Sequence, residues 1–257
     1  MNKYWTLGYH LPGFLAMPLF GDRELFGYVP SPDDKDWQAW QALRQSFYED
    51  TQQQGAGKTV NVAGYKVMQK IDMTGKHVLE IGPGSLPHIR FWNGRPKKYT
   101  LVDYQQNVLD RSISILEAEK IDVDSCLINS HRLPISSNQV DIVISFYSLE
   151  HLYPLESYIG ELKRVLRPGG ILIGAIPAEG GLAWGAGRFL TSRRYIKRRS
   201  HINPDKIISW MHPNFADTIL NHLNREFDLT YNKFWPFRIP FVDLNLVISF
   251  IGRNREE

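Results

Sequence analysis

"HVLEIGPGSLPHIRFW", His77 to Trp92, is the stretch on which the fold turns. A short apolar run ends at Glu80 and Ile81, and Gly82 and Gly84 follow with only Pro83 between them. Glycines are needed where the backbone takes positive φ or where a ligand lies against it. A lone G-x-G is a weak signal, but its surroundings strengthen it. "KYTLVDY", residues 98–104, is a second apolar run, and it ends in Asp103. A carboxylate about twenty residues beyond such a turn stands where it can accept hydrogen bonds from the two hydroxyls of a ribose. The expected local order is strand, glycine turn, a helix beginning near Ser85, and a second strand.

Further along the chain the pattern repeats. "DSCLINS", "VDIVISFY" and "GGILIGAIP" are short apolar runs rich in β-branched residues, and polar or amphipathic stretches separate them. "PLESYIGELKRVLRPGG" is the clearest helix: Leu155, Ile159, Leu162 and Leu166 share a face, and Pro168-Gly169-Gly170 ends it. Alternating strands and helices with apolar strands imply an α/β fold, a Rossmann-like doubly wound parallel sheet covered on both faces. "EFDLTYNKFWPF" and "LNLVISFIGRN" read as two final strands with a short connection, hence an antiparallel edge.

Upstream, "SPDDKDWQAWQALRQSFYED" reads as a helix with Ser31 as N-cap and Pro32 in its first turn. Trp37, Trp40, Leu43 and Phe47 form its apolar stripe. "QQQGAGKTVN" reads as a flexible polar break, and "VAGYKVMQKI" as a second short helix. The expected organisation is an N-terminal helical or lid extension, 1–59, and a main domain, 60–257, with an insertion at about 178–215.

With 257 residues, 43% hydrophobic and 22% charged, the chain has an ordinary globular composition. Cys126 is the sole cysteine, which forbids an internal disulfide and suits a reducing, cytoplasmic setting. The apolar N-terminus is interrupted by His10, Pro12 and Gly13, which argues against a signal peptide, and no segment reaches the ~20 apolar residues of a membrane span. The net charge of +3 conceals an asymmetry: "RFLTSRRYIKRR", Arg188 to Arg199, holds six basic residues and no acid.

Three ligand classes compete for the glycine turn. "GAGKT", 55–59, echoes a phosphate-binding loop, but Gln52 stands where its first glycine belongs and no apolar strand precedes it. The dinucleotide fingerprint needs a third glycine where this chain has Pro87, and Glu80 would repel a pyrophosphate. An acid before the turn suits a ligand with a cationic end and no phosphate, such as S-adenosylmethionine.

"VLEIGPGS", "TLVDY", "DIVISFYSLEHL" and "LKRVLRPGGILIGAIP", in this order and spacing, resemble the class I S-adenosylmethionine-dependent methyltransferases, and most closely the type 11 methyltransferase domain. The resemblance spans roughly residues 60–177. It implies a mostly parallel seven-stranded sheet with an antiparallel last strand, and S-adenosylmethionine as cofactor with S-adenosylhomocysteine as product. It further implies that Glu80, Gly82, Pro83 and Gly84 line the methionine part, that Asp103 binds the ribose and that Tyr104 lies against the adenine. Asn129, with Ser130 beside it, falls where the family often places an acid near the adenine amino group. Phe146 would flank the reactive end.

Methyl transfer needs in-line alignment and, for many acceptors, a base. "SFYSLEHL" puts His151 just beyond the fourth strand, with an unperturbed pKa of about 6.5, and Tyr147 is a second candidate. The N-P-P-Y-like stretch common among enzymes that methylate exocyclic or amide nitrogens is replaced by Ser145-Phe146-Tyr147-Ser148, which argues against amino-group methylation of nucleobases or glutamine; oxygen is the expected acceptor atom. In the insertion, Gly180, Gly181, Gly185 and Gly187 suggest a mobile start, and the basic stretch suits an anionic small-molecule or glycan-type acceptor or peripheral contact with an anionic membrane. The shortness of that stretch argues against nucleic acid. "AEGGLAWGAGRFLTSRR" and "HPNF" resemble, less specifically, methyltransferases found with bacterial surface-polysaccharide genes. The residues leave two alternatives open, a nicotinamide-dependent reductase and a non-catalytic cofactor-binding module, and are silent on oligomeric state.

Overall fold

A computed structural model describes residues 3–51 and 55–255. Seven strands form one sheet: β1 His77–Ile81, β2 Lys98–Asp103, β3 Asp122–Leu127, β4 Val140–Phe146, β5 Leu166–Pro177, β6 Phe227–Trp235 and β7 Val247–Asn254. Their order is β3-β2-β1-β4-β5-β7-β6, and only β7 runs against the rest, pairing antiparallel with both β5 and β6. The chain steps outward from β1 through β2 to β3, then returns to β4 on the other side of β1. That reversal opens a crevice at the carboxyl ends of β1 and β4, the usual ligand position in such sheets.

Alternation along β1 assigns its side chains to two layers. Leu79 and Ile81 join the core with Leu155, Ile159 and Leu162 of the helix Leu155–Val165 (α6) and with Ile219, Leu220 and Leu223 of Ala216–Glu226 (α10). Val78 joins the opposite core with Leu109 and Leu116 of Gln106–Ala118 (α5) and with Val67 and Met68 of the 3-10 turn Lys66–Lys70. Glu80 points into this second layer, so its surroundings were set by strand parity.

Four local expectations need correction. Among the described residues no α-helix begins near Ser85; the connection from β1 to β2 holds only a 3-10 turn, Ile89–Phe91. Pro87 supplies no backbone N–H, and Leu86 takes φ 51°, so the chain cannot enter an α-turn there. Upstream, α3 (Lys35–Thr51) starts later than Ser31: the Asp34 carboxylate accepts from the backbone N–H groups of Asp36 and Trp37 and caps it. The supposed polar break is largely helical, since Gly55–Tyr65 forms α4, while residues 52–54 of that stretch lie outside the described residues. α6 also ends one residue early, because Leu166 pairs with Val140 as the first residue of β5.

The insertion after β5 folds as Leu182–Leu190 (α7), Ser192–Arg199 (α8) and Pro204–Met211 (α9), and it packs with Gly13–Phe20 (α1), Arg23–Phe26 (α2) and α3. Gly180, Gly181 and Gly185 are close-approach positions, contrary to the expectation of a mobile start, while Gly187 faces open space. A Cβ on Gly181 would meet the Val242 carbonyl oxygen at 2.7 Å, and one on Gly185 would meet the Phe20 ring at 2.6 Å. Trp40 and Phe47 of the α3 stripe are buried with Ile196, Ile207 and Trp210, so the N-terminal helix and the insertion share one apolar cluster.

Candidate functional site

The glycine turn is braced from two sides. Gly82 has φ 68° and Gly84 has φ 59°, both in the left-handed region that favours glycine. A Cβ on Gly82 would lie 2.8 Å from that of Ser148, whose hydroxyl donates to the Ile81 carbonyl at 2.9 Å. The Ser112 hydroxyl of α5 donates to the Gly84 carbonyl at 2.9 Å, while the space a Gly84 Cβ would enter is empty. The turn is therefore rigid on its protein side and open on the other.

Glu80 is 1% exposed, and both of its oxygens are engaged. His88 Nε2 donates to one at 2.8 Å and the Tyr99 hydroxyl to the other at 2.6 Å. The Trp92 indole N–H donates to His88 Nδ1 at 3.0 Å, which assigns His88 as the neutral Nε2–H tautomer. Packing of His88 on Phe146, with ring centroids 5.1 Å apart, ties this relay to the end of β4. The sequence reading missed His88, Trp92 and Tyr99, although two of them lie in the opening stretch.

At the end of β2, Asp103 is 9% exposed. Its Oδ1 accepts from the Gln105 N–H at 2.9 Å, and desolvation pushes its carboxyl above the ordinary range. Tyr104 stands exposed beside it, and the Arg44 guanidinium of α3 donates to the Tyr104 hydroxyl at 2.6 Å. The Arg44 charge also bears on Asp103 and on His151, so α3 reaches across the crevice mouth, an approach that no local pattern encodes. Asn129 and Ser130 lie exposed in the loop after β3.

Beyond β4 the two candidate bases have other commitments. Tyr147 sits at φ 54°, and its hydroxyl donates to the Asn61 carbonyl of α4 at 2.9 Å. Burial pushes that phenol well above its ordinary pKa. His151 keeps 31% of its side-chain surface accessible, with Nδ1 donating to the Met211 carbonyl. Burial, then the neighbouring His212, lower it to about 3, so the pKa expected from the free side chain does not apply. Glu150 is 2% exposed with Oε2 unpartnered among the described residues, and burial raises its carboxyl to about 8.

Glu179, just past β5, is fully buried and gathers the insertion around itself. Arg188 pairs with it, the Trp184 indole donates at 3.0 Å, and His212 Nδ1 approaches to 2.7 Å. Arg193 pairs with Asp205 in the same way. Two of the six cations in the basic stretch are thus internal, and Arg199 lies 3.3 Å from Asp50. Arg194, Lys197 and Arg198 remain on the outer face.

Residues 79–174 match the methyltransferase domain family. The chain carries a class I S-adenosylmethionine-dependent methyltransferase domain. Over 133 residues it is 29% identical to a malonyl-[acyl-carrier protein] O-methyltransferase of Alcanivorax borkumensis, covering 49% of this chain and 42% of that protein. The chain thus spans under half the length of the curated relatives it matches. The N-methyltransferase NodS of Bradyrhizobium japonicum WM9, solved with S-adenosylhomocysteine, superposes with a TM-score of 0.58 at 14% identity, covering 87% of this chain and all of that one. The CurJ carbon methyltransferase gives 0.56 at 12%, covering 97% of this chain and 69% of that one. These neighbours share the methyltransferase fold, and their names span oxygen, nitrogen and carbon acceptors, so the fold leaves the acceptor atom open. S-adenosylmethionine is the cofactor of the domain. The open side of Gly84 and the Asp103 carboxylate at the neighbouring strand end fit such a ligand, and among the described residues no helix between β1 and β2 offers a phosphate its N-terminus.

Proposed function

We propose that the chain transfers a methyl group from S-adenosylmethionine to an oxygen of a small-molecule or glycan-type acceptor, and that this oxygen arrives ionised, as a carboxylate. The cofactor half rests on the open glycine turn with Asp103 at the neighbouring strand end. Gly82, Pro83 and Gly84 line the methionine part, Asp103 holds the ribose, and Tyr104, Asn129 and Ser130 border the adenine. Glu80 serves this site from behind: with both oxygens engaged by His88 and Tyr99, it stiffens the turn without touching the ligand. Phe146 packs against the same relay.

The acceptor half rests on one observation: among the described residues just beyond β4, neither Tyr147, Glu150 nor His151 stands ready as a base. The Tyr147 hydroxyl is bonded to Asn61, His151 is lowered to about 3, and Glu150 is enclosed and raised to about 8. When bound, the cofactor would supply a methyl carbon on a sulfonium; its transfer to a carboxylate oxygen would break the carbon–sulfur bond, release S-adenosylhomocysteine and require no proton to be removed. Alignment alone can supply most of such a rate. A protonated Glu150 offers an anion no repulsion, and the Arg44 charge reaches His151 from α3. The name of the Alcanivorax relative supports oxygen as the acceptor atom.

The test supplies methyl-tritiated S-adenosylmethionine with small-molecule and glycan fractions of a cell extract, then treats the product with alkali. A methyl ester releases volatile labelled methanol; label stable to alkali would overturn the carboxylate. No label at all, despite tight binding of S-adenosylhomocysteine in calorimetry, would instead favour a non-catalytic binding module. Binding of NADH with no response to S-adenosylhomocysteine would return the site to a nicotinamide enzyme.

A further inference from the structure

Among the described residues, every large apolar side chain left exposed, apart from Tyr104 and Leu127, lies in the N-terminal segment, the insertion, or the loops after β4 and β6. A scattering of such residues is ordinary, but their confinement to one part of a molecule marks an interaction surface. Phe14 and Leu15 on α1 are 78% and 46% exposed, and Phe189 and Leu190 at the end of α7 are 40% and 54% exposed. Phe14 projects from its helix, since a residue lining a groove would be half covered. α1 packs directly on α7, and α7 on α8.

α8 adds the charge. Arg193 and Ile196 turn inward, which leaves Arg194, Lys197 and Arg198, at i, i+3 and i+4, along one outer face. None of the three forms an ion pair among the described residues, although Arg188, Arg193 and Arg199 of the same stretch do. Neither α1 nor the run from Leu182 to Arg199 contains an acid. Projecting apolar side chains on α1 and α7, with outward cations on the adjoining α8, match the interface of an anionic bilayer, where shallow apolar insertion and headgroup attraction reinforce each other.

We propose that α1, α7 and α8 form a docking face for anionic membrane surfaces. The protein rests on the bilayer peripherally, as no helix among the described residues is long and apolar enough to cross it. The proposal stands apart from the methyl-transfer reading, because docking requires neither cofactor nor acceptor.

The test is flotation of the full chain with vesicles of phosphatidylglycerol or of phosphatidylcholine, at about 0.1 M and about 1 M salt. Binding to phosphatidylglycerol alone, weakened at high salt, is expected. Reversal of the three cations (Arg194→Glu with Lys197→Glu and Arg198→Glu) should lower it at least about tenfold, and Phe14→Asp with Leu15→Asp should abolish it. All five positions are at the surface, and circular dichroism checks that the variants fold. Equal binding to both lipids, retention of phosphatidylglycerol binding by both variants, or no binding at low salt would overturn the proposal. A dimer in light scattering that Phe14→Asp dissociates, without vesicle binding, would give the face to a second copy of the chain.

Discussion

Asp103 has its Oδ1 held by its own backbone turn, at the end of a strand where a ribose would lie. Asp103→Ala is expected to weaken S-adenosylhomocysteine binding by about 1–3 kcal/mol in calorimetry, the loss of charge-assisted hydrogen bonds. Unchanged affinity in a folded variant would move the ribose elsewhere. His151 makes the contrasting case, since its Nδ1 is committed and its pKa is lowered to about 3. His151→Ala should leave cofactor affinity nearly intact and lower kcat less than tenfold, whereas loss of a base costs about 10²–10⁴. Glu150 links the site to stability. Its carboxyl titrates near 8 in the fold but near its ordinary value of 4.5 when unfolded, so between these limits the unfolded chain binds fewer protons. Its contribution is therefore present at low pH and lost as pH rises toward 8, with a slope of at most about 1.4 kcal/mol per pH unit. His151 acts in the opposite sense, lowering stability as pH falls from 6.5 toward 3. Glu150→Gln should flatten the melting temperature between pH 5 and pH 8 and raise it at the alkaline end (pH ~8); an unaltered profile would show that Glu150 ionises normally.

At the scale of elements, the strands were legible because each is an apolar run with a punctuated end, and their parity placed Glu80 in a layer. The glycine turn was legible as a turn, and Asp103 as its partner. What stayed hidden depended on distant chain: the bond from Tyr147 to α4 crosses 86 residues, and that from Arg44 to Tyr104 crosses 60. No local pattern encodes such pairs. The missing helix after β1 could have been read from Pro87, the same residue that argued against a dinucleotide; a general expectation of strand–helix alternation overrode it. The first two turns of α4 were missed for the reverse reason, since Gly55 and Gly57 suggest a loop, yet Tyr147 and the core hold that segment helical. Tyr147→Phe removes one hydrogen bond and should cost about 1 kcal/mol of stability in urea unfolding. Methyl transfer should persist in that variant, while a loss above a hundredfold would restore Tyr147 as a catalytic group.

On the scale of the whole molecule, the sheet supplies the crevice, and in the reading proposed above the N-terminal segment, packed with the insertion, is its roof. The two meet at Glu179, which leaves the end of β5 and is met by Arg188 and Trp184 of α7 and by His212 beyond α9. In sequence, Arg188 looked like one cation of a basic stretch, and nothing local distinguishes an internal partner from a surface one; burial separates them only once the chain is folded. Glu179→Gln keeps the shape but leaves the Arg188 charge buried without a counter-ion, a change that typically costs about 3–5 kcal/mol. The cost should fall unevenly, because the roof helices are secured to the sheet at this point while the strands hold one another. Hydrogen exchange should therefore accelerate first in α7 and in the α1–α2 segment packed with the insertion, with β1 and β4 still protected. Binding of S-adenosylhomocysteine should change less than acceptor turnover, since the glycine turn is braced by Ser148 and Ser112 independently of Glu179. Uniform acceleration across roof and sheet would instead mean that the two unfold as one unit, with Glu179 an ordinary core ion pair.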